Sequence, residues 1–304
     1  FAEPGQLLLK ARVQSLWNED AFLITQGEWE GLDWWLKVFA VPGETRVLFP
    51  EMAPSYLQIL FQVYQCHGFS YPIPLEKGYD FADLEQRIAN VQPHLVMLGN
   101  PDDPTGYLLD PEFVLHVLKK YGCFLFVDES FIEFASHSTS LLHRIRESRY
   151  LMVKRSFAYA YALAGLNLHL LFAHPDLLAL LTHVISDHHL SRIAAQFLYE
   201  AIEDMDRVYA TIPYIQEQRE WLRQAFLSLP IVRHVTPSQG NYLFVQFHDL
   251  ELVYRHLLEN RILTKRYPKG LRITIGNESE NQILLNMMKR LSVAQSGNRS
   301  HPAI

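Results

Sequence analysis

Short apolar runs alternate with amphipathic stretches from the start of the chain to about residue 173. The runs are Phe22-Leu23-Ile24, Val47-Leu48-Phe49, Leu95-Val96-Met97-Leu98, Phe124-Leu125-Phe126-Val127, Leu151-Met152-Val153 and Leu168-His169-Leu170-Leu171-Phe172. They lack a period of two, as strands buried on both faces do, and such strands belong to a mostly parallel sheet covered by helices. The stretches between them, around 29–40, 54–66, 81–90 and 111–120, read as helices. The predicted fold class is α/β. Pro175-Asp176 opens a further helical region that lasts to about 228. Beyond it Arg233-His234-Val235, Tyr242-Leu243-Phe244-Val245 and Leu271-Arg272-Ile273-Thr274-Ile275 read as strands, with helices near 249–260 and 278–291. That change of pattern predicts a large unit over 16–210 and a smaller α+β unit over 211–293. Residues 294–304 have nothing to bury and read as a frayed tail.

Composition narrows the function classes. Of 304 residues 49% are hydrophobic, enough for a full core without disulfide or metal staples. Lys and Arg number 27 against 33 Asp and Glu, a net charge of −6 that offers no basic field to nucleic acid or to an anionic membrane. No run reaches the ~18 uninterrupted apolar residues of a membrane helix. The opening Phe1-Ala2-Glu3-Pro4-Gly5 lacks the blocks of a signal peptide, and with no initial Met it reads as truncated or processed. Cys66 and Cys123 make no disulfide framework and suit a reducing compartment, the cytoplasm.

In an open parallel sheet the ligand site lies beyond the carboxyl ends of the strands. Four segments fall at such places. Gly99-Asn100-Pro101-Asp102-Asp103-Pro104-Thr105-Gly106 is a rigid polar turn whose residue types alone read as a plain loop into the next helix. Asp128-Glu129-Ser130-Phe131 puts an acid at a buried strand end, where it can anchor a cationic ligand atom or cap a turn. The third runs from Lys154-Arg155-Ser156 to Gly165-Leu166-Asn167. The fourth, Gly27-Glu28-Trp29-Glu30-Gly31, precedes a helix whose N–H groups can hold an anion, although Glu28 and Glu30 would repel a phosphate. His183, His188 and His189 lack the spacing and companions of a metal site, so no metal is expected. Trp34 and Trp35 read as packing on an amphipathic helix.

Taken in order, these segments resemble the fold-type I pyridoxal-phosphate aminotransferases, in particular their histidinol-phosphate aminotransferase and threonine-phosphate decarboxylase branch. The resemblance runs from Phe1-Ala2-Glu3-Pro4, similar to the family's Tyr-Pro-Asp-Pro, to Leu271-Arg272-Ile273-Thr274-Ile275-Gly276. It implies a large and a small domain, pyridoxal phosphate as cofactor, a homodimer, and amino transfer between an amino acid or amino-alcohol phosphate and a 2-oxo acid. It also implies that part of the family's N-terminal sequence, with an arm that helps close dimer and site, lies before Phe1, leaving 1–15 as that arm's remnant.

Residue by residue, the resemblance sets Asp128 at the position of the acid that pairs with the pyridinium nitrogen. Arg272 takes the place of the arginine that grips the substrate carboxylate through a bidentate fork, with Asn241 beside the strand that lines the same pocket. Other positions depart. Asp103 stands for the asparagine that donates to the cofactor's phenolic oxygen, a donation a carboxylate cannot make. Phe131 stands for a tyrosine, as it also does in the decarboxylases. Arg155-Ser156-Phe157-Ala158-Tyr159 aligns without gaps on the family's Arg-Thr-Phe-Ser-Lys, so Tyr159 falls where the Schiff-base lysine would be. A phenol has no amine to condense with an aldehyde.

Ala158, Asn167 and Phe1 replace a serine, an arginine and a tyrosine that bind the phosphate, which leaves mainly the backbone of Gly27, Glu28 and Trp29 to hold it. At about 1.5–3 kcal/mol per hydrogen bond to a charged group, those losses amount to roughly 4–8 kcal/mol, some three to six decades of affinity. Two readings remain: a working enzyme that uses Lys154, Lys265 or Lys269, and a non-catalytic relative that binds a small carboxylate, an amino-acid-like ligand or a partner chain. Coincident losses in one site favour the second. A nicotinamide enzyme is a distant third, since no Gly-x-Gly-x-x-Gly follows a strand.

Overall fold

The computed structural model of the chain describes residues 4–137, 139–186 and 189–299. In chain order the first part runs α1 (Pro4–Trp17), β1 (Phe22–Thr25), α2 (Glu30–Phe39), β2 (Arg46–Pro50), α3 (Ser55–Val63), β3 (His67–Tyr71), α4 (Phe81–Val91), β4 (Leu95–Gly99) and α5 (Pro111–Tyr121). It continues through β5 (Phe124–Asp128), β6 (Leu151–Ser156), β7 (His169–Ala173), α6 (Pro175–Leu181), α7 (Arg192–Glu203) and α8 (Met205–Leu227). The last part is β8 (Val232–Val235), β9 (Tyr242–Phe247), α9 (Leu250–Glu259), β10 (Lys265–Tyr267), β11 (Gly270–Thr274) and α10 (Glu278–Arg299).

The large sheet has the order β1-β7-β6-β5-β4-β2-β3. Its strands from β3 to β6 are parallel, and β7 and β1 join antiparallel at one edge. The inner strands β4 and β7 are buried along their whole length, which is why their apolar runs show no alternation. Local signals set the helix ends: Asp110 accepts the Glu112 N–H at 3.0 Å, Pro111 starts α5, and Gly122 closes it at φ 61°. The small sheet, β10-β11-β9-β8, is antiparallel throughout.

Two main cores result. Trp17 packs against Phe157, Tyr161 and Phe172 at centroid distances of 5.5, 6.2 and 5.9 Å. Such an aromatic cluster adds about 0.5–1.5 kcal/mol per pair to simple burial. Leu9, Val13 and Trp17 of α1 belong to the larger core, and α1 packs on α7. The segment 1–15, read as the remnant of an arm, is thus from Pro4 onward largely a helix built into the larger core, with its buried residues four apart on one face. The smaller core gathers Leu222, Phe226, Val245, Leu257, Ile273 and Met288 around the second sheet.

No linker separates the cores. Val208 of α8 lies in the first, Phe226 in the second, and Ile215 touches both. Gly106 sits at the seam with φ +77°, where a Cβ would fall 2.1 Å from Ser238 Oγ, so only glycine lets the turn after β4 meet the small unit.

Two strands escape the apolar pattern, β3 and β10. Both are edge strands, and four of the five β3 residues and Lys265 and Arg266 of β10 are exposed. β6 runs three residues past its apolar run because Lys154, Arg155 and Ser156 are buried polar residues. The last helix also corrects a boundary: 294–299, expected to fray, continues α10, since each added helical residue gains a hydrogen bond without needing a core. Residues 300–304 lie outside those described. No helix among the described residues is long and apolar enough to cross a membrane.

Candidate functional site

β5 and β6 are parallel neighbours, and their register sets Asp128 beside Lys154 at the carboxyl end of the sheet. Lys154 Nζ lies 3.1 Å from Asp128 Oδ2, 3.8 Å from Glu28 Oε1 and 4.3 Å from the centre of the Trp29 ring. The lysine side chain is only 3% exposed. Asp128 Oδ1 accepts the Ser130 hydroxyl at 2.5 Å and the Ser130 N–H at 3.0 Å. The acid expected to await a ligand cation therefore already has one, supplied by the chain.

A second pair joins the two units. Arg272 of β11 brings Nε within 3.0 Å of Asp103 Oδ1, in the turn after β4. Its guanidinium lies 4.1 Å from the Tyr242 ring centre and 5.3 Å from that of Phe131. Tyr267 donates to Asp103 Oδ1 over a long 3.4 Å. Asp102, the neighbour of Asp103, is fully buried, and burial lifts its pKa to about 7 although the Thr105 hydroxyl and N–H donate to it.

Tyr159 stacks on Phe131 with centroids 4.1 Å apart. Burial, then the Glu28 and Asp128 carboxylates, push its phenol well above the usual range, so it stays neutral. Gly27, Glu28, Trp29, Asp103, Tyr159, Asn167 and Arg272 wall one cleft of about 600 Å³, which also takes in Glu30, Asp33 and Lys265. It shares Glu28, Trp29 and Asp103 with a narrow chamber of about 50 Å³ that reaches Asp128 and Phe131.

Three sequence candidates do not reach these walls. Ser156 is buried and accepts the Ala158 N–H at 3.1 Å, which turns the chain after β6. Ala158 presents only a methyl group. Asn241 precedes β9, and its Oδ1 is buried without a hydrogen-bond partner among the described residues. Asn167 reaches the cleft from a left-handed turn (φ 52°), a conformation asparagine tolerates, and contacts His169 Nε2 at 3.0 Å. Around the Gly27 turn the Glu30 carboxylate accepts the Gln26 N–H at 2.6 Å.

Among the other lysines, Lys265 lines the cleft and Lys269 pairs with Glu51 at 2.6 Å. Phe1 and His188 lie outside the described residues. His183 and His189 each contact a backbone carbonyl within their own turn, and His189 also the Ile24 carbonyl. No group of three or more potential metal ligands occurs among the described residues.

Sequence reasoning missed Tyr242 and Tyr267, which frame Arg272 and Asp103, and missed that Lys154 belongs to Asp128. The last was within reach: Asp128 and Lys154 each directly follow an apolar run on adjacent parallel strands.

This arrangement, a mixed seven-stranded sheet with an antiparallel small unit across a cleft at its carboxyl end, is that of the pyridoxal-phosphate-dependent aminotransferases. Residues 4–288 match the family model for aminotransferase class I and II, and the chain belongs to that family. A histidinol-phosphate aminotransferase of Thermoanaerobacter sp. is 30% identical over 255 residues, 81% of this chain and 70% of that protein. The crystal structure of the histidinol-phosphate aminotransferase from Clostridium acetobutylicum superposes with a TM-score of 0.87 at 17% identity, covering 97% of this chain and 91% of the other. The Sinorhizobium meliloti histidinol-phosphate aminotransferase in complex with pyridoxal-5'-phosphate gives 0.86 at 17%, covering 97% and 83%.

Proposed function

We propose that this chain is a histidinol-phosphate-aminotransferase-like protein that has lost transamination and holds a small carboxylate or amino-acid-like ligand. The observation that carries this reading is the Lys154–Asp128 pair, 3.1 Å across with the lysine almost closed to solvent, beside a neutral phenol at position 159. Pyridoxal phosphate needs an amine for its aldehyde, donors for its phosphate, an acid for its ring nitrogen and room for its ring. The residues present do not fit it: Tyr159 is no amine, Asp128 is taken by an ammonium, and the Gly27 turn is flanked by Glu28 and Glu30. Room is not what excludes it, because the narrow chamber at Asp128 adjoins the larger cleft through Glu28, Trp29 and Asp103.

Lys154 does not rescue the enzyme reading. In pyridoxal the aldehyde sits opposite the ring nitrogen, so an amine bound to Asp128 would be at the wrong end of the ring to meet it. Arg272, by contrast, keeps a planar fork on the cleft wall. A ligand held mainly by one such contact binds weakly, with a dissociation constant between about micromolar and millimolar, or roughly 4–8 kcal/mol.

The test is an absorbance scan of the purified protein with added pyridoxal phosphate, followed by borohydride reduction and peptide mass mapping. The expected result is no visible band of a bound internal aldimine and no stoichiometric adduct. Cofactor trapped on Lys154, Lys265 or Lys269 together with turnover of an amino acid would establish the enzyme reading instead. Tyr159→Lys alone is expected to leave cofactor binding poor. Adding Ala158→Ser and Asn167→Arg should tighten it by roughly two to four decades, two hydrogen bonds to a charged group at about 1.5–3 kcal/mol each. A single change that gave tight binding and turnover would refute this account of the phosphate cup.

A further inference from the structure

We infer that Asp103 is an internal latch on Arg272: the chain's own carboxylate occupies the clamp, and a free carboxylate ligand binds by displacing it. The inference rests on the carboxylate-binding reading above and adds the residue that limits its affinity. The closest approach of Asp103 to Arg272 is Oδ1 to Nε, 3.0 Å, with an angle too poor for a hydrogen bond. Neither Nη atom of Arg272 has a hydrogen-bonding partner among the described residues, while the face of the guanidinium rests on Tyr242. The arginine is therefore held in place, 12% exposed, with its best donors unspent. A free carboxylate can engage the fork with two parallel bonds, which Asp103 does not do.

Asp103 itself is weakly tied. Its one other side-chain hydrogen bond among the described residues is the long 3.4 Å bond from Tyr267, and its side chain is 27% exposed, so it can swing into the cleft. A tethered competitor acts by population. If the clamp is open a tenth of the time, the apparent dissociation constant of a ligand rises tenfold, and removing the competitor restores the factor. Loss of a negative charge would also favour any anion, so a control must remove a charge from the same cleft without touching Arg272. Glu28, which lines the cleft and approaches Lys154 rather than Arg272, provides it.

The experiment is calorimetric titration of the whole chain with L-glutamate and with 2-oxoglutarate, using wild type, Asp103→Asn, Glu28→Gln, Arg272→Ala and the double variant Asp103→Asn/Arg272→Ala. Circular dichroism melting confirms that each is folded, and Asp103→Ser replaces Asp103→Asn if the latter is not. Asp103→Asn should bind at least tenfold tighter than wild type and Glu28→Gln no more than threefold tighter. Both variants that lack Arg272 should show no binding. Equal affinities for Asp103→Asn and wild type, or equal gains for Asp103→Asn and Glu28→Gln, overturn the latch while leaving carboxylate binding intact if Arg272→Ala still abolishes it. Binding that survives Arg272→Ala, or no binding by any variant, overturns both.

Discussion

Asp128–Lys154 and Glu129–Arg155 are acid–base pairs one residue apart, the acids at the end of β5 and directly after it and the bases on β6, yet they do different work. Successive strand residues point to opposite faces, so the first pair borders the cleft and the second faces the interior. Glu129 is fully buried and saturated: it takes Arg155 Nη1 at 3.1 Å, Asn100 Nδ2 at 3.2 Å, the Ser140 hydroxyl at 2.6 Å and the Leu141 N–H at 2.7 Å. Glu133 adds a second carboxylate 3.5 Å from Arg155, and its burial raises its pKa. Asp128 has Lys154, Ser130 and the edge of a chamber. The inner pair ties the turns after β4 and β5 to the segment near 140. The outer pair sets what the cleft can accept.

The largest expected effect comes from breaking the inner pair. Arg155→Met should lower unfolding free energy by about 3–5 kcal/mol, because it strands Glu129 in the interior without its counter-charge. Urea titration measures it, and a loss under about 1 kcal/mol would mean that the hydrogen bonds alone carry Glu129. Lys154→Met should cost less, about 1.5–3 kcal/mol, the range of one hydrogen bond to a charged group, since Asp128 is partly open to water. If Lys154→Met proved the more damaging, the outer pair would be the structural one and the contrast would fail.

The third effect is a matter of pH and is smallest near neutrality. His169, opposite Ser156 in the register, is held near a pKa of about 3 by burial first and then by the Lys154 charge. Its unfolded counterpart titrates near 6.5, so between pH 6.5 and 3 the unfolded chain binds the extra proton and stability falls as pH drops. Above pH 6.5 this contribution is constant. His169→Gln should flatten the difference by at most about 1.4 kcal/mol per pH unit across that window. Denaturant midpoints at several pH values, compared with wild type, isolate the histidine from Asp102, whose raised pKa of about 7 acts in the opposite sense between pH 4 and 7.

How far the sequence reached depends on what kind of interaction places a residue. The runs that became β4, β5 and β7 were legible because burial on both faces leaves continuous apolar stretches, and the helices because their spacing repeats. β3 was not, since an exposed edge strand such as His67-Gly68-Phe69-Ser70 is held by backbone pairing, which leaves no apolar signature. In the site, sequence pattern and family resemblance named Asp128, Tyr159, Asp103 and Arg272. That Asp103 sits on Arg272 was hidden, because the two lie 169 positions apart and meet only when the small sheet docks on the turn after β4. Tyr242 gave no chemical signal, being one more aromatic residue in an apolar strand.

α8 carries a mechanical consequence. It is one helix of 23 residues anchored in both cores, with Pro213 inside it close to Ile215, the residue that touches both. Proline removes a backbone hydrogen bond at that level, so bending is easiest where the helix passes from one core to the other. Arg219, one and a half turns further on, grips the Phe134 carbonyl on the large side and the Gly240 carbonyl on the small side at 2.9 and 2.7 Å. Flexure at Pro213 would change the separation of β11 from the turn after β4, and with it the gap between Arg272 and Asp103. The ion pair across the seam thus acts as a gauge of the angle between the two units.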